Sequence, residues 1–240
     1  MVIKPSGPEP VKMKLYSLVS LVILLTGSNA VENECPITQE NPTRPCPKNT
    51  IKCVKKYFHT RADCLSYICP VNSNTIQLEN FKNYEPSVNA TIVQNATLTG
   101  VGSGTIYDFI IDKTINIAVL SIEYTNIKVI GTSDFIHYKT AREPKTVRID
   151  TTENYRKVII TTYFYDTEDL NLEDSYSVAN LTLPEFTLGP CLTQSTDPET
   201  VEFFGAFLAN INAVAQEAYQ TRAPLIQKYF ISKHICNYVK

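Results

Sequence analysis

The sequence has no tryptophan, three histidines, two methionines and only 19% charged residues among its 240. Each scarcity narrows the field. Without tryptophan, bulky core and interface volume must come from 14 tyrosines and 10 phenylalanines. His59, His137 and His234 sit in no HExxH and in no other metal-ligand spacing, and no GxSxG elbow accompanies them. Positive charge is not in excess: 22 Lys+Arg face 24 Asp+Glu, which excludes a nucleic-acid binder working through a basic surface. Low charge beside 43% hydrophobic residues also excludes a disordered polyelectrolyte. The glycine cluster Gly100-Val-Gly-Ser-Gly104 is neither a Walker loop nor a GxGxxG and reads as a hairpin turn. Glu168-Asp169 and Glu173-Asp174 read as solvated loop charge. No catalytic set, metal site or cofactor site is expected, and the chain reads as a non-enzyme.

What the chain does have begins with an address. Lys12 and Lys14 precede an apolar run over residues 15–26 (LYSLVSLVILLT), which ends in Gly27-Ser-Asn-Ala30. A bilayer span needs ~20 apolar residues, so this shorter run with small residues before a cut is a secretory signal peptide over residues 1–30. Met13 is then a plausible natural start. Residues 31–240 form a single mature domain, with no later membrane segment. Secretion agrees with seven cysteines, all in the mature part, and with sequons at Asn89, Asn95 and Asn180.

Three regions follow. Residues 31–72 are a cysteine- and proline-rich head, with a short helix from residue 51 to about Cys64 capped by Asn49 or Thr50. Residues 76–190 are β: Val88, Ala90, Ile92, Ala96 and Leu98 share one parity, and Asn89, Thr91, Asn95, Thr97 and Thr99 the other. Val93 and Gln94 break the pattern. Further strands fit residues 105–111, 115–130, 134–140, 145–150, 155–165 and 177–188, joined as antiparallel meanders. Asn89, Asn95 and Asn180 all fall on polar parities, as glycan acceptors should. From Asp197, an N-cap followed by Pro198, the period turns helical. Val201, Phe204, Leu208, Ile211, Ala215 and Ala218 line one face of a helix expected to run to Ala223, then to be kinked or restarted at Pro224 and to end near Asn237. Phe203, Phe207 and Val214 widen that face. The expected fold is α+β, a long curved antiparallel sheet around a long C-terminal helix.

Cys46, Cys53, Cys64, Cys69, Cys191 and Cys236 are expected in disulfides, with Cys191 bonded to Cys236 so that the last helix is pinned to the end of the sheet. Seven is odd, and Cys35 is the candidate for a free or intermolecular thiol.

Several short segments together resemble a known family. They are Arg44-Pro-Cys46 with Cys53 and Lys55-Lys-Tyr-Phe58 behind it, then Arg222-Ala-Pro224, Lys228-Tyr-Phe230 and Ile235-Cys-Asn237. With the chain length, head, β middle and sequons, this resembles the fibrohexamerin family, the small glycoprotein component of lepidopteran silk fibroin. An even cysteine set is expected there, so the seventh cysteine is a departure. The resemblance implies a secreted, non-enzymatic protein that associates non-covalently with fibroin heavy and light chains in the silk-gland lumen. It implies no cofactor, nucleic acid or membrane partner. The architecture also resembles the takeout and juvenile-hormone-binding proteins, which implies as an alternative an extracellular carrier of a small lipophile, with Phe203, Phe204, Phe207 and Leu208 lining a tunnel.

Overall fold

The computed structural model describes residues 42–62, 64, 74–139 and 142–236; the expected leader with Met13, and Cys35 and Cys69, lie outside these. β-Branched and aromatic residues at alternate positions build one antiparallel sheet. Its strands are β1 (Thr75–Glu85), β2 (Ala90–Thr99), β3 (Thr105–Asp112), β4 (Ile117–His137), β5 (Lys145–Phe164), β6 (Ser175–Leu181) and β7 (Glu185–Leu188). Their order is β1-β2-β4-β5-β6, with β3 also on β4 and β7 also on β5.

β4 and β5, of 21 and 20 residues, are the frame. β2 and β3 lie end to end along β4, paired to its residues 128–137 and 117–123. β6 and β7 lie end to end along β5 in the same way. The expected hairpin at Gly100–Gly104 is therefore a jog between two collinear strands. Gly100 makes the jog possible: its φ is +87°, and a Cβ there would stand 2.6 Å from the Asn126 carbonyl oxygen.

Three more strand expectations are corrected. Residues 117–130 and 134–137 belong to one strand, as do 145–150 and 155–164; in β4, Gly131 is a strand residue and not a turn. A Cβ on it would meet the Asn95 carbonyl oxygen at 2.2 Å, so its bareness lets β2 and β4 approach. Conversely, the expected strand 177–188 divides around Pro184, which has no N–H to donate.

The helices cover the inner face of the sheet. In the head, α1 (Ile51–Arg61) buries Val54 and Phe58, and Phe58 packs against Phe109 and Phe164 at 6.1 and 5.6 Å between ring centroids. After the short α2 (Pro190–Thr193) come α3 (Pro198–Ala209) and α4 (Ile211–Phe230). Asp197 caps α3, its carboxylate accepting from the Thr200 backbone N–H and hydroxyl at 2.8 and 2.7 Å.

The expected single helix to Ala223 breaks at Asn210 (φ −112°, ψ 17°), whose side-chain amide donates to the Ala206 carbonyl at 2.9 Å. α4 then continues through Pro224 without a break into a π-helical turn, Ile231–Ile235. Because the helix is not continuous, the expected stripe is out of phase. Phe203 and Phe207 are buried, while Val201 and Leu208 face outward.

α4 reaches both edges of the sheet. Gln216 Nε2 donates to the Ala179 carbonyl of β6 at 2.6 Å. On the other side, the Thr221 hydroxyl donates to Asn83 of β1, and Glu217 accepts from Ser87 in the 3-10 turn Pro86–Val88. Strand edges that would otherwise template pairing with other chains are covered in this way.

One disulfide joins Cys46 to Cys53 and another joins Cys64 to Cys236, with Cα–Cα distances of 5.7 and 5.4 Å. The expected Cys191–Cys236 bond does not form. The π turn carries Cys236 to the end of α1 in the head, whereas Cys191 lies exposed on α2 with its thiol unbonded. The last helix is pinned to the head.

Candidate functional site

Inward positions of a half-buried sheet should be apolar, yet Gln94 on β2, Ser133 on β4, and Thr151, Glu153 and Tyr155 on β5 all point in. They meet Arg222 of α4, whose side chain is 2% exposed. Arg222 Nη1 and Nη2 fork onto the two Glu153 oxygens at 2.7 and 2.9 Å, and Nη2 also donates to Gln94 Oε1 at 2.6 Å. Gln94 Nε2 and the Tyr155 hydroxyl donate to Glu153 at 3.0 and 2.5 Å. Ser133 and Thr151 hydroxyls bond each other at 2.9 Å beside them.

The electrostatics follow from burial opposed by pairing. Desolvation alone would raise the Glu153 pKa, but the Arg222 charge and the donated hydrogen bonds outweigh it and hold the carboxylate below its ordinary value. Desolvation would lower the Arg222 pKa, and the Glu153 charge overrides it upward. Burial pushes the Tyr155, Tyr219 and Tyr124 phenols up. This is a structural ion pair with every Glu153 oxygen occupied. The sequence placed Arg222 only in a tail motif; the one local signal was Gln94 interrupting an apolar parity.

The space between this cluster and the aromatic residues Phe135, Phe186 and Phe207 is a cavity of about 20 Å³. That admits one water, whereas a small lipophile needs a pocket of roughly 300 Å³ or more. Phe203 and Phe207 pack on Phe135 at 5.7 Å as core, and Leu208 lies outside. No observation favours a carrier's tunnel. Among the described residues, no group of three His, Cys, Asp or Glu side chains is placed to hold a metal, and no helix is long and apolar enough to cross a membrane. His59 is exposed, while His137 and His234 pack at a tilt on Phe203 and Phe230 at 5.0 and 4.9 Å between ring centroids.

The outer face is where sequence-named residues surface. Asn89, Asn95 and Asn180 are all exposed. Asn89 is not a strand residue as expected; it takes a left-handed conformation (φ 48°) between the 3-10 turn and β2, its Nδ2 donating to the Tyr138 carbonyl at 2.8 Å. Asn95 and Asn180 lie within β2 and β6.

At the far end of the same face, Ile110, Val119, Tyr163 and Tyr176 stand in one cross-strand row over β3, β4, β5 and β6. Tyr176 is 56% exposed, and Ile115 and Tyr165 lie exposed at the same end. Neighbouring Phe109, Leu120 and Phe164 are buried, so the row is the outward parity and has no covering layer among the described residues.

A protein-family model described as Fibroin P25 matches residues 42–239. A curated protein named Fibrohexamerin, from Galleria mellonella, is 21% identical over 200 residues, covering 82% of this chain and 89% of that protein. The matched span takes in both disulfides, the buried ion pair and the outward tyrosine row.

Proposed function

The chain belongs to the fibroin P25 family, and on that footing we propose that it is a secreted, non-enzymatic silk glycoprotein. It associates non-covalently with fibroin heavy and light chains and aids their secretion, solubility and assembly. The observation that carries this reading is the family match over nearly all of the expected mature part. The outward row of Ile110, Val119, Tyr163 and Tyr176 supports it, because an uncovered apolar and aromatic patch is the ordinary means of non-covalent association. Residues 1–30 act as the leader, cut after Ala30.

Affinity capture from silk-gland lumen tests the reading: fibroin heavy and light chains should co-purify, and their absence would refute it. Replacing Tyr163 and Tyr176 together by Ser should weaken capture about tenfold or more, since buried aromatic anchors carry much of an interface's energy. The unfolding midpoint should fall by no more than a few degrees, because both side chains face outward and only their cross-strand contact is lost.

The mode of attachment is tested separately. Detergent without reductant should release the chain as a monomer on electrophoresis. A band that collapses to monomer only on reduction, and that Cys191→Ser or Cys35→Ser abolishes, would establish a covalent link instead.

Asn89, Asn95 and Asn180 carry N-linked glycans in this proposal. Peptide mapping after enzymatic deglycosylation should find all three converted. Glycans there would keep the sheet face away from the tyrosine row from self-association. An unmodified Asn180 would remove that shield from β6.

A further inference from the structure

Glu85, the last residue of β1, is 0% exposed, and among the described residues neither of its carboxyl oxygens meets a hydrogen-bond donor. Such a carboxylate would be left unsolvated and unpaired, which a folded protein rarely tolerates. The groups facing it make ionisation worse. Glu217 of α4 stands beside it, Glu153 of β5 adds a second negative charge, and Arg222 of α4 supplies the one positive charge. Arg222 is already forked onto Glu153. Gln94 of β2 and Asn83 of β1 are neutral neighbours around the same cavity. Among the described residues, three carboxylates thus share a single cation, and two adjoining carboxylates can bond only through a proton. Glu217 itself is held in place by Ser87, accepting from its hydroxyl at 2.8 Å and its backbone N–H at 3.2 Å.

We propose that Glu85 and Glu217 form an acid–carboxylate pair, sharing one proton across the seam between β1 and α4, and that this pair is a pH-sensitive latch on the sheet edge. With the proton present, Glu85 donates to Glu217 and the first strand, the Pro86–Val88 turn and α4 are bonded into one unit. Loss of the proton leaves two carboxylates facing each other with no donor between them, and the seam loosens. Burial first, then the bond to Glu217 and its charge, push the Glu85 pKa from 4.5 to about 8. A pKa raised by folding means the native state holds a proton that the unfolded chain has released. The latch's contribution is therefore complete below about pH 4.5 and is lost as pH rises through about 8.

The test uses the full mature chain in equilibrium unfolding at pH 6 and pH 9. For the wild type, the unfolding constant should rise roughly a hundredfold over that interval. Glu85→Gln keeps the shape and a donor without a charge, so its constant should change only a few-fold, and it should be more stable than wild type at pH 9. An equal pH slope in the two proteins would overturn the proposal. Infrared spectroscopy at pH 7 is the second readout and does not depend on the variant's folding: wild type should show the carbonyl band of a protonated carboxylic acid. A spectrum with ionised carboxylates alone would equally overturn it.

Discussion

Arg222→Met should destabilise the chain by about 3–5 kcal/mol, the cost of leaving one partner of a buried ion pair behind. Domains of this kind have about 5–15 kcal/mol in total, so the variant should unfold at a far lower urea concentration or fail to accumulate folded. The loss arises from Glu153, which would keep its buried charge with only Gln94 and Tyr155 as donors. Two companions separate this account from a simple loss of packing. Adding Glu153→Leu to Arg222→Met removes the orphaned charge and should recover most of the stability, because a hydrophobic replacement of both partners is often neutral or better. Acidification should also rescue the single variant, since an orphaned, desolvated Glu153 would take up a proton. A single variant as stable as wild type at neutral pH would show that the pair is not buried as described.

Breaking the Cys64–Cys236 bond should be comparably costly. The two cysteines are 172 residues apart, and the chain-entropy model assigns a loop of that size about 5 kcal/mol. Cys46 and Cys53, seven apart, are worth about 2.5 kcal/mol in the same model, so Cys236→Ser should lower stability more than Cys53→Ser does. Cys191→Ser should be near neutral, because that thiol is exposed and unbonded. Non-reducing peptide mapping supplies the direct check: the Cys236 peptide should emerge linked to Cys64. A link to Cys191 would overturn the docking of the last helix on the head.

What could be read in advance was local. The parity of β2, the Asp197 cap with Pro198, and the start of α1 all depend on residues within a few positions of one another, and the structure has them as the sequence implied. What depends on distant partners was not readable. Cys236 lies inside the motif Ile235-Cys-Asn237, and nothing within that motif distinguishes Cys64 from Cys191 as its mate. Glu153 and Arg222 are separated by 69 residues, so neither local spacing nor periodicity connects them. The break at Asn210 was missed for a different reason. Pro224 has the stronger intrinsic penalty, but it removes a single hydrogen bond inside a helix that tertiary packing holds. At Gly100–Gly104 the turn chemistry was read correctly and the topology was not, because a glycine-rich turn serves a jog as well as a reversal.

The order of synthesis gives the Cys64–Cys236 bond another meaning. At 5–20 residues per second, Cys64 emerges roughly 10–35 s before its partner is made. Through that interval the inner face of the sheet also lacks α4, the element that supplies Arg222 to Glu153 and covers both strand edges. A chain without α4 therefore shows bare apolar strands, an unpaired thiol and a lone buried-site carboxylate, and the exposed apolar surface and open strand edges make it prone to aggregate. Docking of α4 and of the π-helical turn behind it removes all of them together. The π-helical turn that brings Cys236 to Cys64 is thus the step that closes the fold, and a chain cut before Ile231 should stay open to protease where the intact chain resists it.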